Sequence, residues 1–158
     1  PEKIIRLGPA PLLPETFRAV QSAWMKCHNG GFDHMPEGKR HTTSDGTLVR
    51  SRVELIIYEY LKNAGVAFVY ESPVLLRNRW VYPDFKLLRS SDRRIILWDH
   101  FGMMGNQEYR VDAENKMSGY IRNGYWPMDN LITTFDSGND SVDISQLGRM
   151  LTAMGLIH

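Results

Sequence analysis

The chain contains a single cysteine, Cys27, among 158 residues, so no disulfide can form within it. That usage points to a reducing compartment, with the cytoplasm as the expected location. No apolar run approaches the roughly 20 residues that a membrane-spanning helix needs, and no secretory signal pattern is legible. Charge of one sign is also lacking. The 19 Lys and Arg nearly balance the 18 Asp and Glu, and the net charge of +1 gives no bulk attraction to a polyanion. Gly30-Gly31 lacks the pattern of a phosphate-binding loop, and no nucleophile elbow occurs. There is no internal repeat and no low-complexity segment. The first residue is Pro1, not Met, as in a processed chain or a piece of a longer one.

What is present suits one domain with a real core, at 42% hydrophobic and 23% charged residues. Charge is unevenly placed. Residues 77–94 hold six basic side chains, among them Arg77, Arg79 and Lys86, against Asp84 and Asp92. Residues 129–158 hold four aspartates against Arg149. A basic hairpin suits a polyanionic substrate, and it equally suits a sheet edge guarded by arginine.

Residues 1–13 read as a Pro-rich extended arm, followed by a helix from Pro14 to about Met25 and a long loop over residues 27–47. Residues 1–47 are therefore treated as an N-terminal arm, helix and loop, and residues 48–158 as the organised domain. Ser51 to Ala64 has the strongest helical period, with Val53, Ile56, Ile57, Tyr60, Leu61 and Ala64 on its apolar face. Ser51-Arg52-Val53-Glu54 fits a capping box, and Gly65 fits the stop. Strands are expected at 67–76 (one bent or two short), 80–88, 94–99 and 130–135. Further helices are expected at 106–123 and 141–154. From Ser51 the order is helix, three strands in meander, helix, strand, helix, which predicts an α/β fold with a mixed sheet flanked by helices.

Two carboxylates stand in those strands. Asp84 lies within Val81-Tyr82-Pro83-Asp84-Phe85, and Asp99 closes the apolar run Ile95-Ile96-Leu97-Trp98. An acidic residue in a buried strand is costly unless something binds it. Two on neighbouring strands suggest a divalent cation and, with it, phosphodiester chemistry. The strand register that would bring them together is not readable from the chain. Glu54, in the first turn of the covering helix, borders the same region. Mg²⁺ or Mn²⁺ on such carboxylates can polarise a phosphoryl oxygen and acidify an attacking water. A lysine is then needed to orient that water. Phe101 stands two residues after Asp99, so the third strand does not supply it. Lys116 shares a helical stripe with Tyr109, Asp112 and Tyr120 and is the leading candidate, while Lys86 competes because it shares a strand face with Asp84.

Taken in order, these motifs resemble the PD-(D/E)XK nuclease superfamily, of restriction-endonuclease-like fold. The motifs are Ser51-Arg52-Val53-Glu54, Tyr70-Glu71, Tyr82-Pro83-Asp84-Phe85, Trp98-Asp99-His100-Phe101-Gly102-Met103, Lys116 with Tyr120, Asn123-Gly124 and Asn130-Leu131-Ile132-Thr133-Thr134-Phe135. They resemble a branch whose third-strand motif reads acidic-His-Phe-Gly and whose lysine has moved to the following helix. The likeness spans roughly residues 48–136. It implies a core of order αβββαβ, with Asp84 and Asp99 as metal ligands and Glu54 as a ligand directly or through water. It also implies Lys116 as catalytic lysine, Mg²⁺ or Mn²⁺ as cofactor, and DNA cleavage as the activity, with a homodimer as one option. His100 is a structural histidine, a support to the metal or a general base. Arg50, Arg52, Arg77 and Arg79 are candidate phosphate contacts.

Other readings remain open. Glu54 can serve only the capping box, Asp84 and Asp99 can be turn residues, and Lys116 can be a solvated surface lysine. The absence of the plain D/E-x-K pattern also allows a domain that kept the fold and binds nucleic acid or protein without cutting. Cys27, His28, His34 and His41 form a separate candidate for Zn²⁺, although adjacent Cys27 and His28 suit one tetrahedral site poorly.

Overall fold

The computed structural model describes residues 14–29, 33–136 and 141–158. The Pro-rich arm expected at 1–13 lies outside them. Helix α1 runs Pro14–His28. A short hairpin, β1 (His41–Thr42) and β2 (Leu48–Val49), follows within the segment expected to be loop. Helix α2 (Arg52–Asn63) carries Ser51 as N-cap. Next come β3 (Ala67–Tyr70), β4 (Val74–Leu76), β5 (Arg79–Val81), β6 (Phe85–Leu88) and β7 (Ile95–Phe101). Helix α3 (Gln107–Arg122), strand β8 (Leu131–Phe135) and helix α4 (Ile144–Ala153) complete the chain.

The main sheet is mixed, in the order β3-β6-β7-β8. Strand β6 is antiparallel to both β3 and β7, whereas β8 is parallel to β7. The parallel pairing follows from α3, which returns the chain to the starting end of the sheet. Alternation along β7 divides the core. Ile96 and Trp98 join Val53, Ile57 and Leu61 of α2 and Leu147 and Leu151 of α4. Leu97 faces the other way, with Tyr120 of α3, Leu131 of β8, and Leu76 and Val81. The sheet is thus covered on both faces. Among the described residues, no helix is long and apolar enough to cross a membrane.

Three strand expectations change. The strand expected over 80–88 is two pieces. Its first part, β5, pairs with β4 in a separate two-stranded ribbon, and only β6 enters the main sheet. Pro83 lies in the break, where its missing N–H removes a ladder hydrogen bond. Asp84 therefore sits at the entry to β6 and not inside a strand. Strand β7 continues past Asp99 to Phe101, because β8 pairs alongside it through Phe101↔Phe135.

Residues 33–49 are tied to the core. Glu71 is buried and takes ion pairs from Lys39 (3.0 Å) and from the Arg50 guanidinium. Tyr58 of α2 donates to Asp45 (2.8 Å), and Ser44 bonds Glu59 through both its N–H (2.6 Å) and its hydroxyl (2.8 Å).

Candidate active site

The register closes the question that the chain left open. Phe85 pairs with Trp98 and Lys86 with Leu97, so one further step sets Asp84 opposite Asp99. Two hydrogen bonds lock that step. The His100 N–H donates to Asp84 Oδ2 at 2.6 Å, and the Asp84 N–H donates to Asp99 Oδ1 at 3.2 Å. After the break at Pro83, Asp84 gives its carbonyl to the Glu71 N–H on the β3 side at 2.9 Å and presents both its N–H and its carboxylate to β7.

Asp99 is 2% exposed and faces α3. Lys116 Nζ donates to Asp99 Oδ1 at 2.6 Å and to the Tyr82 carbonyl at 2.9 Å. The Tyr120 hydroxyl donates to Asp99 Oδ2 at 2.6 Å. Lys116 and Tyr120 are one helical turn apart on α3, so the helix that brings one to the strand brings the other. An ammonium has three N–H groups. Two of those on Lys116 are engaged by protein, and its side chain keeps 26% exposure. A cavity of about 160 Å³ opens there, lined by Asp84, Asp99, His100, Tyr109, Asp112 and Lys116. Asp112 and Tyr109 form its helical wall. Sequence reasoning noted them only as companions of Lys116 on a stripe, and the i, i+4 spacing of Asp112 to Lys116 is the signal that places both at one rim.

The electrostatics are those of a site short of positive charge. Burial, then Asp99, then Glu54 push the Asp84 carboxyl well above its ordinary range. Burial also raises Asp99, with Lys116 and Tyr120 pulling the other way. Burial and the Asp99 charge raise the Tyr120 hydroxyl, which stays a donor. Burial lowers the His100 imidazole. One edge of that ring meets Thr134 Oγ1 through Nδ1 at 2.9 Å, and its buried Nε2 has no partner among the described residues.

Glu54 does not join the aspartates in a three-ligand set. No group of three His, Cys, Asp or Glu gathers closely enough for a metal among the described residues. Its Oε1 accepts from Ser51 Oγ (2.9 Å), and its Oε2 accepts from the Tyr70 hydroxyl (2.6 Å) and the Arg50 N–H (3.1 Å). Ser51 Oγ in turn accepts the Glu54 N–H at 3.1 Å, a capping interaction. Glu54 acts on Asp84 through charge alone. Two carboxylates still fit a hard cation. Counting Asp84, Asp99 and Glu54 against Lys116 leaves an excess of two negative charges when all are ionised, and Mg²⁺ keeps several waters as ligands.

Several other candidates are placed elsewhere. Lys86 is buried and donates to Ser72 Oγ and the Pro73 carbonyl, both at 2.9 Å, so it anchors that loop and bonds neither aspartate. Arg50 spends its guanidinium on Glu71 and on the carbonyls of His34 and Met35, so it is structural and not a phosphate contact. The basic segment is partly neutralised too. Arg89 pairs with Asp92 at 2.5 Å and Arg94 with Asp129 at 2.9 Å. Arg52, Arg77 and Arg79 stay exposed. The Zn²⁺ candidates do not converge. His28 bonds the Trp24 carbonyl (2.9 Å), His34 stacks on Tyr82 with ring centroids 3.8 Å apart, and Cys27 is exposed.

No family model matches the chain. A stretch of 90 residues, 56% of this chain, is 34% identical to the uncharacterized protein MJ1519 of Methanocaldococcus jannaschii and covers 8% of that protein. Among solved structures, the cryo-EM structure of the DrdV–DNA complex contains a chain that matches with TM-score 0.41 and 13% identity, over 91% of this chain and 14% of its own. This chain spans a small fraction of the length of both.

Proposed function

We propose that the protein is a metal-dependent nuclease that hydrolyses phosphodiester bonds, in DNA first of all. One observation carries the reading. Asp99 on β7 and Asp84 at the entry to the adjoining β6 share a partly open cavity with a lysine that already pairs with Asp99 at 2.6 Å. In this reading Asp84 and Asp99 hold Mg²⁺ or Mn²⁺, and Glu54 contributes its charge and a contact through water. Bound there, the cation supplies Lewis acidity toward a phosphoryl oxygen and toward the attacking water. Tyr120 holds Asp99 in place. The His100 N–H holds Asp84. Lys116 uses its remaining N–H to orient the water and to offset the charge that develops on phosphorus. Arg52, Arg77 and Arg79 remain as phosphate contacts.

The test is cleavage of plasmid and single-stranded DNA by purified protein with Mg²⁺ or Mn²⁺. Loss of cleavage in both Asp84→Ala and Asp99→Ala is expected, and cleavage that survives both overturns the assignment. A second reading is a nucleic-acid-binding domain that no longer cuts. It is favoured by the absence of a three-carboxylate set among the described residues and by Phe101 in the usual lysine position. It predicts DNA binding without turnover and no heat on titration with millimolar Mn²⁺.

A further inference from the structure

A second cavity, of about 430 Å³, lies between the β4–β5 ribbon and α3. Its walls are Arg77, Asn78 and Arg79 on the ribbon and Asn115, Ser118 and Arg122 on the helix. Its floor includes Gly119, where an added Cβ would meet nothing closer than Leu76 Cδ1 at 3.9 Å. No Asp or Glu lines it. Lys116 lines both this groove and the aspartate cavity, so the two adjoin at that side chain.

The ribbon is built to keep its arginines here. Leu76 and Val81 are buried toward α3. The cross-strand pair Leu75 and Trp80 takes the opposite face, at 53% and 58% exposure. Arg79 pairs with Leu76 and shares the groove with it. Arg77 occupies the turn at φ +50°, a position that glycine favours. Arg77, Arg79 and Arg122 are all exposed, and each lacks a carboxylate within ion-pair distance among the described residues. Of the other arginines of the hairpin, Arg89 and Arg94 are paired, and Arg93 lies outside the groove. The C-terminal end of α3 would repel an anion through its free carbonyls. Three of those carbonyls, of Gly119, Tyr120 and Ile121, are already occupied. Asn123 Nδ2 donates to the Gly119 carbonyl at 2.7 Å, and the N–H groups of Asn123, Gly124 and Tyr125 close on Tyr120 and Ile121.

We infer that this groove carries the sugar–phosphate backbone of one DNA strand beside the bond that is cut, with Arg79 and Arg122 on successive phosphates. The inference rests on the nuclease reading of the aspartate site and adds the path of the substrate to it. From Lys116 to Arg122 the helix rises roughly 9 Å. For a duplex lying along α3, that is between two and three nucleotide steps of about 3.4 Å along the B-form axis. The strand therefore enters the site from the ribbon side, and Asn78, Asn115 and Ser118 meet phosphate and sugar oxygens without reading bases. Charge complementarity and the adjoining aspartate cavity favour a nucleic-acid backbone over an acidic peptide.

The experiment measures binding of a fluorescein-labelled 20-base-pair duplex (roughly twice the length of one helical turn) by anisotropy over about 50–200 mM NaCl. The full chain is used in the Asp84→Asn background, which prevents cleavage. Arg79→Gln with Arg122→Gln is expected to weaken binding on the order of tenfold at about 100 mM salt and to flatten the log–log salt slope by about two. Arg79→Lys with Arg122→Lys should recover most of the slope, because each phosphate contact needs a charge. Arg93→Gln, an exposed arginine outside the groove, should leave the slope unchanged. An unchanged slope in the double Gln variant, while wild-type protein cleaves plasmid, overturns the groove assignment and leaves the nuclease reading intact. Polyglutamate that displaces the duplex at equal charge concentration also overturns it. Absence of any salt-sensitive DNA binding, together with absence of cleavage, removes both.

Discussion

Asp84 carries a conflict that makes its chemistry measurable. Its carboxylate is pushed up by burial and by two neighbouring acids. The ordinary unfolded value is about 3.9. Between that value and the raised folded one, the folded chain holds more protons than the unfolded chain, so stability falls as pH rises through this window. The metal-free protein should gain stability at pH 7 on Asp84→Asn, read as a higher Tm. The gap between variant and wild type should close as pH falls toward about 4. Comparing the two proteins cancels Asp45 and Asp92, whose lowered carboxyls lose their contribution in acid. A Tm difference that ignores pH would contradict the crowding of negative charge. Lys116→Met should lower cleavage by about 10²-fold or more, read as kcat at saturating DNA, with duplex affinity changed only several-fold. Tyr120→Phe strips Asp99 Oδ2 of its donor and should cost about 1–3 kcal/mol in urea unfolding. The four side chains of the site differ in how visible they are in the chain. Asp84 and Asp99 stand out as acids among apolar neighbours. Lys116 is found only by asking what the third strand lacks. Tyr120 reads as core until the packing of α3 shows its hydroxyl against Asp99.

At the level of elements, the decisive feature is the break before β6. Pro83 interrupts what otherwise reads as one strand, and the interruption frees Asp84 to bond β7 from the sheet end. The freed half, β5, pairs with β4 instead and makes the ribbon that bounds the basic groove. Helix α2 shows a different economy. Ser51 and Glu54 cap it, and the same Glu54 carboxylate also holds Tyr70 and the Arg50 backbone. Ser51→Ala should therefore cost about 1 kcal/mol or somewhat more, measured by chemical unfolding. Arg50 provides the sharper test of role. Arg50→Gln should lower stability by about 2 kcal/mol, less than the roughly 3–5 kcal/mol of a fully orphaned buried charge, because Lys39 still faces Glu71. It should leave the salt slope of DNA binding unaltered. A flattened slope would return Arg50 to the list of phosphate contacts. Nothing in the local sequence separates Arg50 from Arg79. Burial separates them, through Glu71 on a strand end and the carbonyls of a loop 15 residues upstream.

The whole molecule sets its two kinds of surface apart. One sheet face, with α2 and α4, is apolar packing. The other, with α3 and the ribbon, holds the aspartates, Lys116 and the unpaired arginines. A bare count of charge conceals this, since the total is only +1. Binding of a divalent cation should appear as a global effect. Mn²⁺ at about 100 times its Kd should stabilise the wild-type fold by roughly 2.7 kcal/mol, visible as a higher Tm, and should leave Asp84→Asn nearly unmoved. Equal shifts in both proteins would place the cation elsewhere.

The chain alone determined the α/β class, the order of helices and strands in the sheet-forming part, the ends of α2 and α3, and which acids deserved attention. Each is written locally, in period, cap and turn residues that act over a few positions. Tertiary structure decided what depends on who meets whom. Strand register set Asp84 opposite Asp99. The packing of α3 delivered Lys116 and Tyr120 to one carboxylate. Burial claimed Arg50 and Lys86 for structure and left Arg77, Arg79 and Arg122 without an ion pair among the described residues. The physical reason is range. Propensity and capping act within a turn or two of chain, whereas the charge state and role of a side chain depend on groups that only folding brings near.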